Sequence, residues 1–302
     1  MSFLNPVNEP VLRFSSTDAG APQINYNART AGDVKSVLKA CLVTGYGSTA
    51  SAGWTAVNEA GNVIEFSSTS TEMLDYRLGV DDTSTSSTTW YYQYKNTRTN
   101  PKNNTISKEY TYSNRAHSGN RWDLIVSDKG FYFIETLYNN VINQLMSRLT
   151  FMGQIKSALV DILSENMSFW SVGLSSTNNV PARFYAKGTS AEFYQKIGGN
   201  ATGFSFTSVN KGLFNEEKLP ADNVAVDLVG ELYVGMEGGV MGSYAGLLIS
   251  TFRNRDDMYG TKTTHFNGRP VLYFCNGISW ATTDNTFRFL VGVMIYLDYW
   301  EY

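Results

Sequence analysis

The apolar positions along the chain change their period several times, and each change marks an element. After Asp33, a residue suited to capping a helix, Val34, Val37, Leu38, Cys41 and Leu42 recur at three- and four-residue intervals, the stripe of one helical face. The helix is expected to end near Gly45, with Gly47 preventing its resumption. Thr55 to Phe66 reads as a hairpin turning at Glu59-Ala60-Gly61-Asn62. Trp122, Leu124 and Val126 then alternate with polar neighbours, Ser127-Asp128-Lys129-Gly130 makes a turn, and Phe131 to Ile134 returns as a compact apolar strand. Between these hairpins, Thr83 to Thr89 and Asn96 to Ser107 are poor in apolar residues and are expected to be exposed loops, the second a mobile projection.

From Leu137 to Val172 two periods compete. Val141, Ile142, Leu145, Met146 and Leu149 fit a helical stripe, whereas Arg148 to Phe151 also opens like a strand; the stripe predicts a helix over Asn140 to Leu149. Strands are expected at Arg183 to Ala186, Gly203 to Thr207, Val224 to Val234, Tyr244 to Phe252, Pro270 to Cys275 and Phe287 to Leu297. The last is apolar on both faces, as a central strand covered twice would be. No period of about 20 to 50 residues recurs, which disfavours a solenoid or propeller. The expected fold is mainly β with a few short helices, an α+β arrangement in which a helix-plus-hairpin module precedes a β-rich C-terminal half. The turn-rich residues 1 to 32 read as an extended arm, 33 to 136 as the N-terminal module and 137 to 302 as the β-rich module.

Composition narrows the function. The chain's 302 residues include 17 Phe, 19 Tyr and 6 Trp, with 7 Pro, which favours strands and turns and supplies interface anchors. Lys and Arg number 24 against 27 Asp and Glu, too balanced for the clustered cations that a phosphate backbone requires, so direct nucleic-acid binding is not expected. Nor is a membrane span or signal peptide, because no apolar window reaches the needed length and Met1-Ser-Phe-Leu-Asn-Pro lacks a basic region before an apolar one. Without an export signal, the sequons at Asn103, Asn166 and Asn200 read as chance matches.

The search for chemistry yields little. Cys41 and Cys275 sit in apolar runs far apart, as buried thiols do; His117 and His265 have no His or Cys array around them, so neither metal nor cofactor is expected. Asp81-Asp82, Glu216-Glu217 and Asp256-Asp257 are adjacent acids, which point to opposite faces of a strand and read as solvated turns. Gly242-Ser243-Tyr244-Ala245-Gly246 misplaces the first glycine of a nucleophile elbow, and Gly45-Tyr46-Gly47-Ser48, Gly198-Gly199-Asn200 and Gly238-Gly239 fit turns better than phosphate cradles. The expectation is a protein that is not an enzyme, with no catalytic residues.

One stretch carries a resemblance. Gly20-Ala21-Pro22-Gln23, Ala31-Gly32-Asp33, Leu38-Lys39-Ala40-Cys41-Leu42-Val43-Thr44-Gly45-Tyr46-Gly47-Ser48 and Ala52-Gly53-Trp54 together resemble an N-terminal module of structural proteins of tailed bacteriophages. The likeness covers residues 11 to 66, with Leu78-Gly79-Val80-Asp81-Asp82 as its continuation and a looser likeness after residue 140 that ends at Asp298-Tyr299-Trp300. It implies a virion component, assembled in the host cytoplasm, at the neck or collar of the head–tail junction or associated with the tail. Its partners would be copies of itself and neighbouring virion proteins. The rival from another class is a tail or baseplate component that binds or cleaves carbohydrate, stacking its rings on a host-surface glycan. Read physically, Cys41, Tyr46 and Trp54 are packing residues, Gly45 and Gly47 flank Tyr46 at the helix end, and Gly53 permits close backbone approach before the hairpin.

Overall fold

The computed structural model describes residues 7–71, 73, 76–94, 104–111, 117–139, 144–157, 167–172, 191–197, 200–206, 229–236, 239–252, 261–276 and 290–302. It is mainly β, and every strand pairing is antiparallel. β1 (Asn8–Pro10) and β2 (Leu12–Ser15) precede the helix α1 (Asp33–Lys39), whose end widens into a π-helical turn over Ala40–Thr44. All five positions of the expected stripe are fully buried, and the turn stops at Gly45 as its pattern required. The first expected hairpin is β3 (Thr55–Ala60) and β4 (Val63–Ser67), turning at Gly61-Asn62. It continues through β5 (Tyr76–Asp81), β6 (Ser87–Tyr94) and β7 (Asn104–Thr111) as a five-stranded meander.

The meander corrects the two expected loops. Only Thr83 to Ser86 is loop, since Ser87 to Thr89 opens β6 and Thr88 is buried. Asn104 to Ser107 belongs to β7, while residues 96–103 lie outside the described residues. Polarity misled at both places, because threonine is a strand former and a ladder needs no apolar side chain.

β8 (His117–Ser127) and β9 (Gly130–Asn139) form the second hairpin with Asp128-Lys129 at its tip. The helix expected over Asn140 to Leu149 is not formed: residues 144–149 begin a long strand, β10 (Gln144–Ser157), and 140–143 lie outside the described residues. Leu149 and Phe151 enter one core and Met152 the other, so β10 is apolar on both sides and its spacing imitates a helical stripe. β11 (Met167–Val172), β12 (Ala191–Ile197) and β13 (Asn200–Phe206) extend the sheet one way. The other way β10 meets β15 (Gly239–Phe252), which also pairs with β14 (Val229–Met236). β16 (Thr261–Phe266), β17 (Arg269–Asn276) and β18 (Leu290–Tyr296) complete this sheet, and β19 (Tyr299–Glu301) pairs with β1. β18 lies between β15 and β17, the interior place its apolar run predicted. The strand expected at Arg183 to Ala186 falls outside the described residues.

The strands stack so that β8, β9 and β10 form a middle layer. On one side Trp122, Leu124, Phe131, Phe133 and Met152 share a core with α1, β4, β5 and β6 through Val34, Leu38, Ile64, Leu78 and Trp90. On the other, Ile125, Tyr132, Ile134, Leu149 and Phe151 meet Tyr244, Leu272, Val293 and Trp300. Within residues 1 to 32, β2 pairs with β8, and Phe14, Ile24 and Tyr26 are buried in the first core. The middle layer also buries a charge pair, Arg148 at 3.2 Å from Glu135, whose carboxylate accepts from the Tyr26 hydroxyl at 3.0 Å.

Candidate functional site

The residues that carry the resemblance gather where α1 meets the sheets. Helix formation begins at Gly32, in a left-handed conformation with φ of 93°. Asp33, expected to cap the helix, instead turns back to accept from the Thr30 amide at 2.8 Å. The cap comes from Asp82, the residue after β5. Its Oδ2 accepts from the amides of Val34 at 2.8 Å and Lys35 at 3.2 Å, satisfying two first-turn donors and placing a negative charge at the positive end of the helix. Its Oδ1 accepts from the Thr88 hydroxyl at 2.8 Å and forms an ion pair with the fully buried Arg29 side chain. Asp82 is itself fully buried, which corrects its reading as part of a solvated turn; Asp81 has the local role, accepting from the Thr83 amide.

The far end of the helix is closed by backbone. After Gly45 the chain makes a tight reversal in which Tyr46 and Thr49 exchange both hydrogen bonds, then runs back so that the amides of Ala52 and Trp54 donate to Cys41 and Leu42 carbonyls, each at 2.9 Å. These are carbonyls that a helix end leaves open. A Cβ on Gly45 would lie 2.5 Å from the Thr49 carbonyl oxygen, and one on Gly47 2.5 Å from that of Ala19; both residues also have positive φ, 75° and 54°. Gly53 differs from the expectation: nothing lies within 4 Å of where its Cβ would be, so its φ of 81°, and no close approach, is what requires glycine.

Side chains lock the reversal to the rest of the molecule. The Tyr46 ring meets Phe14 and Trp122 edge-on, at 5.9 and 6.4 Å between centroids, and its hydroxyl donates to Asp18 at 2.6 Å. Asp18 also accepts from the Ser15 amide, so one carboxylate ties the segment after β2 to the helix end. Trp54 packs edge-on against Phe131 and donates from its indole nitrogen to the Ser127 carbonyl at 3.2 Å, joining the loop to the β8–β9 hairpin. Burial, reinforced by the nearby Asp18 charge, pushes the Cys41 thiol far above its ordinary range and leaves it a protonated packing group. Burial also raises Tyr46, and its hydrogen bond to Asp18 adds to the rise.

The structure brings Cys41, Gly45, Tyr46, Gly47, Gly53 and Trp54 together, and adds Asp18 and Arg29, which the sequence pattern did not single out, and Asp82, whose expected place was a solvated turn. Asp82 lies 48 residues beyond the first amide it caps, and no local spacing connects the two. Elsewhere, His265 is exposed on β16, and Ser243 lies on strand β15 where a nucleophile elbow would need a strand-to-helix turn. Glu216-Glu217 and Asp256-Asp257 lie outside the described residues. Among the described residues no group of three His, Cys, Asp or Glu gathers as metal ligands, and no helix is long and apolar enough to cross a membrane. No family model matches the chain, and no curated protein matches it.

Proposed function

We propose that this chain is a non-enzymatic structural component of a tailed-phage virion, at the neck or collar, which acts by assembling with copies of itself and with neighbouring virion proteins. The observation that carries the reading is the use made of the resemblance residues. Tyr46, Trp54 and the Cys41 and Leu42 carbonyls hold backbone segments together, so the motif specifies a rigid shape rather than a reactive centre. The surface presented by that shape suits assembly. All six residues of β3, the edge of the five-stranded meander, are exposed, and β16 has Lys262 to His265 exposed at an edge of the large sheet. Such edges accept a further strand from another chain. Mass photometry of the purified chain, alone and with neighbouring virion proteins, tests the proposal. Discrete oligomers or a stable hetero-complex are expected, and a strict monomer that joins no such partner sinks it.

A further inference from the structure

β15 changes partners midway along its length. Up to Tyr244 it pairs with β10, and from Leu247 onward with β18, so Ala245 and Gly246 belong to neither ladder. Gly246 makes the break possible, with φ of 72° and the Trp300 ring lying where a Cβ would stand. Where the strands part, a cleft of about 150 Å³ opens, lined by Lys156, Ser243, Arg269, Tyr296, Tyr299 and Glu301 among others.

The cations in this cleft are prepared differently. Arg269 is fixed: its Nε and Nη2 donate to Asp298 at 2.9 and 2.7 Å, Nη2 also reaches the Tyr299 carbonyl, and the rings of Tyr296 and Tyr299 each lie 3.7 Å from its Cζ. Its remaining nitrogen, Nη1, stands 3.9 Å from a Glu301 oxygen, beyond hydrogen-bonding distance. Lys156 meets the other Glu301 oxygen at 3.3 Å. Both separations exceed the roughly 2.7–2.9 Å of a strong charge-assisted contact. Glu301 therefore lies loosely between two cations, in the place where an external carboxylate would bind.

We infer that the cleft between β10 and β18 is a binding site for a single uronic acid unit, whose carboxylate replaces Glu301 on Lys156 and Arg269 while the displaced Glu301 accepts from the sugar hydroxyls. The charges select this class. Lys156 and Arg269 are balanced by Asp298 and Glu301, so a dianion such as phosphate would meet two retained carboxylates, whereas a monoanion that also carries hydroxyl donors satisfies both signs of the lining. The lining residues Ser243, Tyr296 and Tyr299 carry hydroxyls that can pair with those of one sugar ring. The site is independent of the assembly reading and stands whether or not the chain oligomerises.

Saturation-transfer NMR and titration calorimetry on the full chain, with methyl glucuronide against methyl glucoside, sodium acetate and free glutamate, test the inference. Methyl glucuronide is expected to bind saturably, at least tenfold more tightly than the other three. Glu301→Gln removes the internal competitor and should tighten glucuronide binding several-fold, and Lys156→Met should weaken it about tenfold, each with the parent's melting temperature. Absence of saturable glucuronide binding to both the parent and Glu301→Gln overturns the site. Equal binding of the glucoside, acetate or glutamate overturns its assignment to a uronic acid. The ligand comparison on the parent decides these points even where a variant fails to fold.

Discussion

At the scale of single residues, the three glycines of the junction separate two reasons for needing glycine. Gly53→Ala meets only the conformational cost of a positive φ and is expected to lose about 1 kcal/mol, whereas Gly45→Ala and Gly47→Ala must also displace a backbone oxygen and are expected to lose clearly more. Urea midpoints of the three variants check that order. Trp54→Ala removes a ring that is 2% exposed together with its bond to the Ser127 carbonyl, and a loss of roughly 3–5 kcal/mol is expected in the same measurement. These positions were legible because glycine and tryptophan carry strong local constraints. Asp18 was not, since an acid in a turn-rich segment looks the same whether water or the Tyr46 hydroxyl is its partner.

At the scale of elements, Asp82 with Arg29 ties the start of α1 to the five-stranded meander, beside the core the two share. Asp82→Ala would leave a buried guanidinium without its counter-charge and the first turn of α1 without its cap. The expected loss is about 3–5 kcal/mol, measured by chemical unfolding, with Asp33→Ala costing much less because Asp33 is only part-buried and serves one amide. Helix α1 and the two hairpins were readable from periodicity because each has one wet face or a polar tip. β10 was not, since burial on both faces erases alternation, and neither were β6 and β7, where threonines and tyrosines carry a ladder without an apolar signature. β16 had a signal that went unused: Asn267 and Gly268, both with positive φ, are the pair that a two-residue hairpin turn demands.

At the scale of the whole molecule, the exposed β3 edge and the acid response of the β17–β19 region can each be tested. Among the described residues Val57 is one of the few large apolar ones left exposed, and Val57→Lys is expected to shift assemblies toward monomer in mass photometry while changing stability by no more than about 0.5 kcal/mol. Burial alone would raise the Asp298 carboxyl, but hydrogen bonds from Arg269 and from the Tyr299 amide outweigh it and hold the group below the ordinary aspartate value near 3.8. A depressed folded value stabilises the fold above the unfolded one, and that contribution disappears as pH falls through the folded value. Melting temperature should therefore fall below about pH 4, and less steeply in Asp298→Asn. The pairing of β1 with β19 bears on how the molecule is made. Pro10 and Tyr299 face each other across that ladder, 289 residues apart in the chain. At about 5–20 residues per second, a ribosome that has delivered β1 takes roughly 15–60 s to deliver its partner. Throughout that interval β1 is a strand without its mate, in a nascent chain whose earlier hairpins are free to close, so β1 and β19 can zip together only after every strand between them has been synthesised.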